Sequence, residues 1–186
     1  LVPTPLESRL NRMKVIVLLD QIQAGLGGKE KADTELGGKK LAMGAADTLA
    51  KDLKKQKGDV MATFYCGTGY YADNRELVQG KVMRMCQQMA PDVLLVGPTY
   101  DYPEFAQMAC EVGLAVQSGS DVPVVAMVAR EKNADLLAEY QRQLDIVKMP
   151  KKGGTGLSDA IEHGLTLCAK KANKEDVTDY ISKYCY

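Results

Sequence analysis

The sequence predicts an α/β protein with a mainly parallel sheet of about five strands and helices on both of its faces. Two observations lead to this prediction. Short apolar runs rich in β-branched residues recur along the chain, and longer segments with apolar residues at helical spacing separate them. Strands that alternate with helices favour parallel pairing through right-handed crossovers. The pattern leaves the order of the strands open.

The predicted elements of the first half follow one another without a linker. The strands are apolar throughout, as expected for strands buried on both faces. The helices carry apolar residues every three or four positions. In chain order the predictions are a strand at 15–19, a helix at 41–53, a strand at 60–65, a helix at 74–90 and a strand at 93–96.

The second half continues the alternation. A third helix starts at Pro103, since proline suits a first helical position, and extends to Gly113. A strand at 122–128, a short helix at 134–143 and a short strand at 145–148 come next. A last long helix runs through Ala169, with Thr155 or Ser158 as its N-cap. Together these elements favour a three-layer sandwich of the flavodoxin-like or Rossmann-like kind.

The chain is expected to divide into three segments. Residues 1–12 are interpreted as a tag or processed end, because Met13-Lys14 would be a natural start. Residues 13–172 have the length of a single α/β domain. Residues 173–186 are predicted to form a C-terminal helical tail.

Composition excludes several classes of function. Lysine plus arginine equals aspartate plus glutamate at 24 each, and nucleic-acid binding normally needs a basic excess. No apolar run approaches the roughly 18 residues of a membrane-spanning helix. The sequence has five cysteines, which is an odd number, and no two of them are spaced as Cys-x-x-Cys. This pattern is neither that of a disulfide framework nor that of a zinc site. We therefore expect reduced thiols, a cytoplasmic location, no metal, no nucleic-acid partner and no membrane partner.

The most informative stretch follows the first strand. Gly25, Gly27 and Gly28 form a glycine-dense turn at a strand's carboxyl end, where open α/β sheets bind ligands. The turn is not a dinucleotide fingerprint, because Glu30 occupies the place of the third glycine or alanine. A nicotinamide cofactor is therefore not expected.

The charges of this loop suit a zwitterion. A ligand carboxylate would lie near Lys29 and backbone amides, and its amine would lie near Glu30 or Asp33. The alternative is a glycine-permitted turn with solvated charges.

Cys66 ends the second predicted strand and precedes Gly67. A thiol at such a position is a candidate nucleophile or redox group with a lowered pKa. The alternative is simple packing, and His163, the sole histidine, lies in the last predicted helix.

Tyrosines cluster in the second and third strand-end loops. Tyr70, Tyr71, Tyr100 and Tyr102 would contact a small organic cation through cation–π attraction. The alternative is that they pack as lids or interfaces.

Further candidate binding residues lie at the carboxyl ends of the third and fourth predicted strands. Gly97 and Thr99 follow the third strand, and Arg130 and Glu131 follow the fourth. Arg130 is suited to bidentate binding of a carboxylate. A solvated arginine is the alternative.

One family shows the same succession of motifs. Gln21, Ala24-Gly25, Gly27-Gly28 and the Glu-Lys-Ala-Asp of 30–33 resemble the opening of the large, substrate-specific subunit of component B of the glycine, sarcosine and betaine reductases. The later segments are similar to that family's following strands. They are the Cys-Gly strand end at 64–67, the Gly-Pro strand end at 92–99, and the strand and acidic turn at 122–131.

The resemblance implies reductive cleavage of a C–N bond in a small amino acid or its N-methyl derivative. The family's redox-active selenocysteine or cysteine motif lies in the second half of a longer subunit, and this sequence lacks it. We therefore expect a substrate-side domain that binds a small amine or amino-acid-type ligand. Reduction would depend on a selenol or thiol from another chain, such as a second reductase subunit.

Two other functions stay open. The first is a non-catalytic homo-oligomeric interaction or small-ligand-binding module that has lost the redox half. The second is a flavin binder, which the loop after the first strand disfavours because it offers few hydroxyls and carries carboxylates. A homo- or hetero-oligomer is expected, and no cofactor is predicted.

Overall fold

The computed structural model describes Val2 and residues 11–186. Six strands form a single sheet within this part of the chain. They are β1 (Met13–Asp20), β2 (Gly37–Lys39), β3 (Gly58–Cys66), β4 (Val93–Val96), β5 (Val124–Ala129) and β6 (Ile146–Met149).

The helices cover both faces of this sheet. One layer contains α1 and α6, and the other contains α2 to α5. The helices are α1 (Ala45–Leu53), α2 (Thr68–Asp73), α3 (Arg75–Met89), α4 (Pro103–Gly119), α5 (Ala134–Tyr140), α6 (Leu157–Ala172) and α7 (Thr178–Tyr184). Short 3₁₀ turns occupy Lys29–Lys31 and Lys54–Gln56. The predicted three-layer α/β sandwich is confirmed.

The strand order is β2-β3-β1-β4-β5-β6. β3, β1, β4, β5 and β6 are parallel, and β2 is an antiparallel edge strand paired with β3. Without β2 this is the doubly wound order of flavodoxin-like folds. The chain moves from β1 to one side of the sheet and then crosses to β4 on the other. The boundary between β1 and β4 is therefore the topological switch point.

The core lies on both faces of the parallel strands. Every residue of β4 and β5 is fully buried, as is the apolar stretch at 15–19 in β1. Val, Leu and Ile dominate these strands because both of their faces pack against helices.

Some local predictions were wrong. The first helix begins at Ala45 rather than at residue 41. Neither Thr155 nor Ser158 caps the last long helix; its N-cap is Gly156, in the left-handed conformation, and no side chain caps the helix.

The predicted tag or processed end at 1–12 lies largely outside the described residues. Arg12, near its end, donates hydrogen bonds to the Asp59 carboxylate and the Gly58 carbonyl. At the other end, Cys185 forms an isolated antiparallel bridge with Val147 of β6. No helix in the described part of the chain is long and apolar enough to cross a bilayer.

Candidate functional site

A cavity of about 600 Å³ opens at the switch point. Its walls come from the segments that leave the carboxyl ends of β1, β3, β4 and β5, which all meet at one edge of the sheet. Such crevices are where doubly wound proteins bind ligands. The lining residues are Asp20, Gln21, Ile22, Lys29, Ala32, Thr68, Tyr102, Pro103, Glu104, Phe105 and Lys132.

Asp20 is the last residue of β1 and places a carboxyl group in the cavity wall. It is only 2 % exposed. Its Oδ1 accepts a hydrogen bond of 2.7 Å from the Gln23 amide. Burial raises the pKa of the carboxyl to about 6, although backbone hydrogen bonds oppose this shift. The site thus contains a carboxylate with few water contacts.

Gln21 is buried and joins two of the cavity walls. Its Oε1 accepts a hydrogen bond of 3.2 Å from the Thr68 amide, and its Nε2 donates one of 3.4 Å to the Gly28 carbonyl. Among the candidate residues named from the sequence, Gln21, Lys29 and Tyr102 line this cavity. The side chain fixes the loop after β1 against the start of α2.

The glycine-rich turn shapes the loop rather than the cavity surface. Gly25 and Gly27 have φ values of 79° and 143°, in the region that favours glycine. The Gly28 amide donates a hydrogen bond of 2.9 Å to Glu30 Oε1. This bond holds the pKa of the Glu30 carboxyl below its usual range. Glu30 is exposed and bonded to its own turn, whereas the neighbouring Lys29 lines the cavity.

Gly67 lies where two loops touch. Its amide donates a hydrogen bond of 2.8 Å to the Thr34 carbonyl, and the Tyr70 amide donates one of 2.9 Å to the Ala32 carbonyl. A Cβ added at Gly67 would collide with the carbonyl of Ala32. The absence of a side chain at this position therefore lets the β1 and β3 loops meet.

The segment after β4 is held by backbone hydrogen bonds to the two neighbouring strands, β1 and β5. The Gly97 amide donates to the Leu18 carbonyl at 3.2 Å, and the Thr99 amide donates to the Met127 carbonyl at 3.0 Å. Thr99 is fully buried, and Tyr100 is nearly so. These contacts position Tyr102 in the cavity wall.

Tyr71 lies in a separate polar network between helices. Its hydroxyl donates a hydrogen bond of 2.6 Å to Glu111 and accepts one of 2.9 Å from Gln79. Burial and the Glu111 carboxylate raise the pKa of this phenol. Tyr71 is thus engaged away from the cavity, and the half-buried Tyr70 does not line the cavity either.

The expected lowered pKa of Cys66 is wrong. The Cys66 thiol is fully buried, and burial raises its pKa to about 12. The Sγ donates to the Gly67 carbonyl at 3.5 Å. The glycines that follow do not expose the sulfur, since the loop after β1 covers this strand end.

All five cysteines share this environment. Each is buried, and burial raises the pKa of each thiol to about 12. We expect iodoacetamide to label the native chain slowly at about pH 8, because thiolates are the reactive form. The guanidinium-unfolded chain, as the control, should label at all five positions. Rapid labelling of Cys66 in the native chain, measured by mass spectrometry, would contradict the buried placement.

The loop after β5 brings Lys132 rather than Arg130 to the cavity. Lys132 lines the cavity and places its Nζ 3.5 Å from Asp101 Oδ2. The Arg130 guanidinium lies 5.5 Å from the centre of the Tyr186 ring, and Glu131 is exposed. The predicted roles of Arg130 and Glu131 in ligand binding remain predictions.

The charged residues of the cavity differ in how deeply they are buried. Asp20 is buried, whereas Lys29, Lys132 and Glu104 are exposed at the mouth. Asp20, Thr68 and Lys132 were not predicted as site residues from the sequence. One signal was present for Asp20: it is a single acidic residue directly after the apolar run at 15–19.

Comparison with known proteins places the chain in a family. The family model described as "Glycine/sarcosine/betaine reductase selenoprotein B (GRDB)" matches residues 12–184. The glycine reductase complex component B subunit gamma of Peptoclostridium acidaminophilum is 27% identical over 132 residues, which are 70% of this chain and 30% of that protein. The sarcosine reductase complex component B subunit beta of the same organism is 25% identical over 167 residues, 89% of this chain and 37% of that protein.

A further relative is the glycine reductase complex component B subunit gamma of Peptoclostridium litorale. It is 29% identical over 134 residues, 68% of this chain and 29% of that protein. The chain thus spans about a third of the length of the curated relatives it matches. No solved structure gives a significant match. Because the family model covers nearly the whole sequence, the chain belongs to the glycine/sarcosine/betaine reductase selenoprotein B family.

Proposed function

We propose that this chain is the substrate-side domain of a glycine/sarcosine/betaine reductase-type complex. In this role it binds a small amine or amino-acid-type ligand in the switch-point cavity. The observation that supports the proposal most directly is the arrangement of charges in that cavity, with the buried Asp20 carboxylate inside and two lysines, Lys29 and Lys132, beside Glu104 at the mouth. A zwitterion has the complementary charges.

The size of the cavity supports a shared site. A volume of about 600 Å³ is typical of ligand sites, yet it exceeds what one small amino acid fills. The remaining space suits a group that enters from a second chain. This agrees with the length of the relatives, of which the chain matches about a third.

The proposed reaction is reductive cleavage of a C–N bond, with electrons from a selenol or thiol on another chain. The thiols of this chain are buried, and none of them lines the cavity. A reductant at this site would therefore come from a partner. In this arrangement the chain binds and orients the substrate while the partner reduces it.

Affinity purification from native cells under reducing, anaerobic conditions, followed by intact and peptide mass spectrometry, tests the complex. We expect a stoichiometric partner with a selenocysteine or an accessible reactive cysteine. A parallel purification from cells that carry the tag alone is the control. Recovery of the chain alone, or only with copies of itself, would contradict the proposal and favour a non-catalytic oligomeric or ligand-binding module.

A further inference from the structure

The two edges of the sheet differ in how they are covered. At one edge the C-terminal segment lies along β6, where Cys185 forms a bridge with Val147. The Tyr186 amide also donates a hydrogen bond of 3.1 Å to the Ile146 carbonyl. At the other edge β2 pairs with β3 on its inner side, and no strand of the described chain pairs with its outer side. That outer side therefore offers backbone N–H and C=O groups to a further strand.

The outer side of β2 is accessible and held in place. Gly38 and Lys39 are exposed, and the two glycines have no side chain that would keep a second strand at a distance. On the inner side, Lys39 is opposite Thr63 of β3. The Thr63 hydroxyl donates a hydrogen bond of 2.8 Å to the Leu41 carbonyl, just beyond the strand. The edge is thus ordered before a second strand arrives, which lowers the entropic cost of pairing.

The residues on either side of the glycine pair at 37–38 carry opposite charges. Glu35 precedes the pair, Lys39 follows it, and both are exposed. Within the part of the chain that the structure describes, neither of them forms an ion pair. The segment therefore has an acidic end and a basic end whose charges are both free to meet those of another strand.

This charge pattern is complementary to itself when two copies of the segment run antiparallel. Residues opposite each other in an antiparallel pair direct their backbone groups either both toward the partner strand or both away from it. A two-fold axis must therefore pass through a residue and not between two residues. An axis at Gly37 places Glu35 of each copy opposite Lys39 of the other. An axis at Gly38 would place Glu35 opposite Leu41 instead.

We infer that two copies of this chain associate through antiparallel β2–β2 pairing centred on Gly37, which joins two six-stranded sheets into one continuous sheet. A short edge strand with a lysine normally resists pairing. Here each Lys39 meets Glu35 of the second copy, and opposite charges across a strand pair are stabilising. The residue that discourages other strands therefore favours this one.

An exposed apolar residue adjoins the pairing segment. Leu41 is 51 % exposed and belongs, with Val2 and Leu77, to the large exposed hydrophobic residues of the described chain. A second copy beside β2 would remove part of the Leu41 side chain from water, which favours association. Because β2 has three residues, the interface is of the small and transient class, and association should depend on concentration.

The pairing leaves both switch-point cavities open. A two-fold axis that relates antiparallel neighbours in one sheet is perpendicular to that sheet, so the strands of the second copy run in the opposite direction. The carboxyl ends of the parallel strands then lie at opposite ends of the joined sheet, and the cavities lie there with them. A further chain can reach each cavity, and the dimer does not depend on the proposed function.

Sedimentation velocity of the 186-residue chain at micromolar and at near-millimolar concentrations tests the association, and we expect a monomer–dimer equilibrium. Glu35→Lys or Lys39→Glu would place like charges opposite each other at two positions. Each substitution should raise the dimer dissociation constant about 10-fold. Lys148→Glu makes the same charge change at an exposed residue of β6, the strand at the other edge, and is the matched control. It should dimerise like the unmodified chain.

A mixture of the two single variants distinguishes lost pairing from a folding defect. In a heterodimer of Glu35→Lys and Lys39→Glu chains, opposite charges again face each other at both positions. We expect the equimolar mixture to dimerise about as tightly as the unmodified chain. A substitution that unfolded the edge strand would not be rescued in this way.

Several results would overturn the inference. One is a monomer at every concentration, and another is a dimer that neither single substitution weakens. Single variants whose mixture stays monomeric would refute the register centred on Gly37. If the amides of 37–39 gained protection from hydrogen exchange only on addition of a different subunit, that subunit and not a second copy would occupy the edge. None of these results bears on the proposed ligand site, which the affinity purification tests separately.

Discussion

Replacing Asp20 with asparagine is expected to stabilise the folded chain by about 2–3 kcal/mol near neutral pH. Burial raises the pKa of this carboxyl from an ordinary value of 3.8 to about 6. Ionisation of Asp20 is therefore harder in the folded than in the unfolded state. Asparagine has the same shape, can accept the same bond from Gln23 and carries no charge to desolvate.

The pH dependence has a definite sign. Between about pH 4 and pH 6 the folded chain binds more protons at Asp20 than the unfolded chain does. The contribution of Asp20 to the free energy of unfolding therefore falls as pH rises. The difference in unfolding free energy between Asp20→Asn and the unmodified chain should grow over that interval and level off above it. Chemical denaturation at a series of pH values measures this difference. A constant difference, or a less stable variant at about pH 7.5, would contradict the assignment.

A carboxylate that lines a cavity and has this expected effect on stability is typical of binding sites. Active and binding sites often retain groups that destabilise the fold, because the ligand needs them. If Asp20→Asn both gains stability and loses affinity for amino acids, the two measurements together separate a binding role from a structural one. A purely structural role would change stability alone.

Replacing Gly67 with alanine is expected to destabilise the chain by about 3 kcal/mol. The added Cβ would collide with the carbonyl of Ala32, and the neighbouring backbone at Thr34 leaves it no space. Relief requires the loops after β1 and β3 to separate. That movement would break the bond from the Gly67 amide to the Thr34 carbonyl.

Gly80→Ala in α3 is the matched control. Its added Cβ would contact the flexible end of the Arg84 side chain, and alanine is a better helix former than glycine. We expect this variant to be more stable by about 0.5–1 kcal/mol. Thermal unfolding by circular dichroism compares the two variants. Equal melting temperatures for Gly67→Ala and the unmodified chain would show that the two loops do not pack closely.

The parallel strands were predictable because burial on both faces makes them continuous apolar runs, as in β4 and β5. The edge strand β2 was not, because Gly-Gly-Lys has little intrinsic preference for a strand and forms one through its pairing with β3. Helix α2 was missed for a related reason. Its few residues begin after Gly67, and the tyrosines there suggested a loop.

The edge of the sheet that holds the site was predictable, since ligands bind at the carboxyl ends of parallel strands. The individual residues were harder to predict. Gln21 was selected through the family resemblance, and the structure places it in the cavity wall. Lys132 was not selected although its neighbours Arg130 and Glu131 were, because the left-handed turn at Lys132 decides which side chain faces the cavity. Sequence periodicity contains no information about that turn.

The central position of β1 has a consequence for biosynthesis. Its neighbours in the sheet are β3 and β4. The apolar run at 15–19 therefore cannot pair on both sides until the chain has been synthesised as far as residue 96. During synthesis this segment is an exposed, β-prone hydrophobic sequence of the kind that aggregates. Parallel pairings between distant segments also form slowly. Recombinant yield should therefore respond strongly to chaperones and to slower translation, even though the run at 15–19 is fully buried in the folded chain.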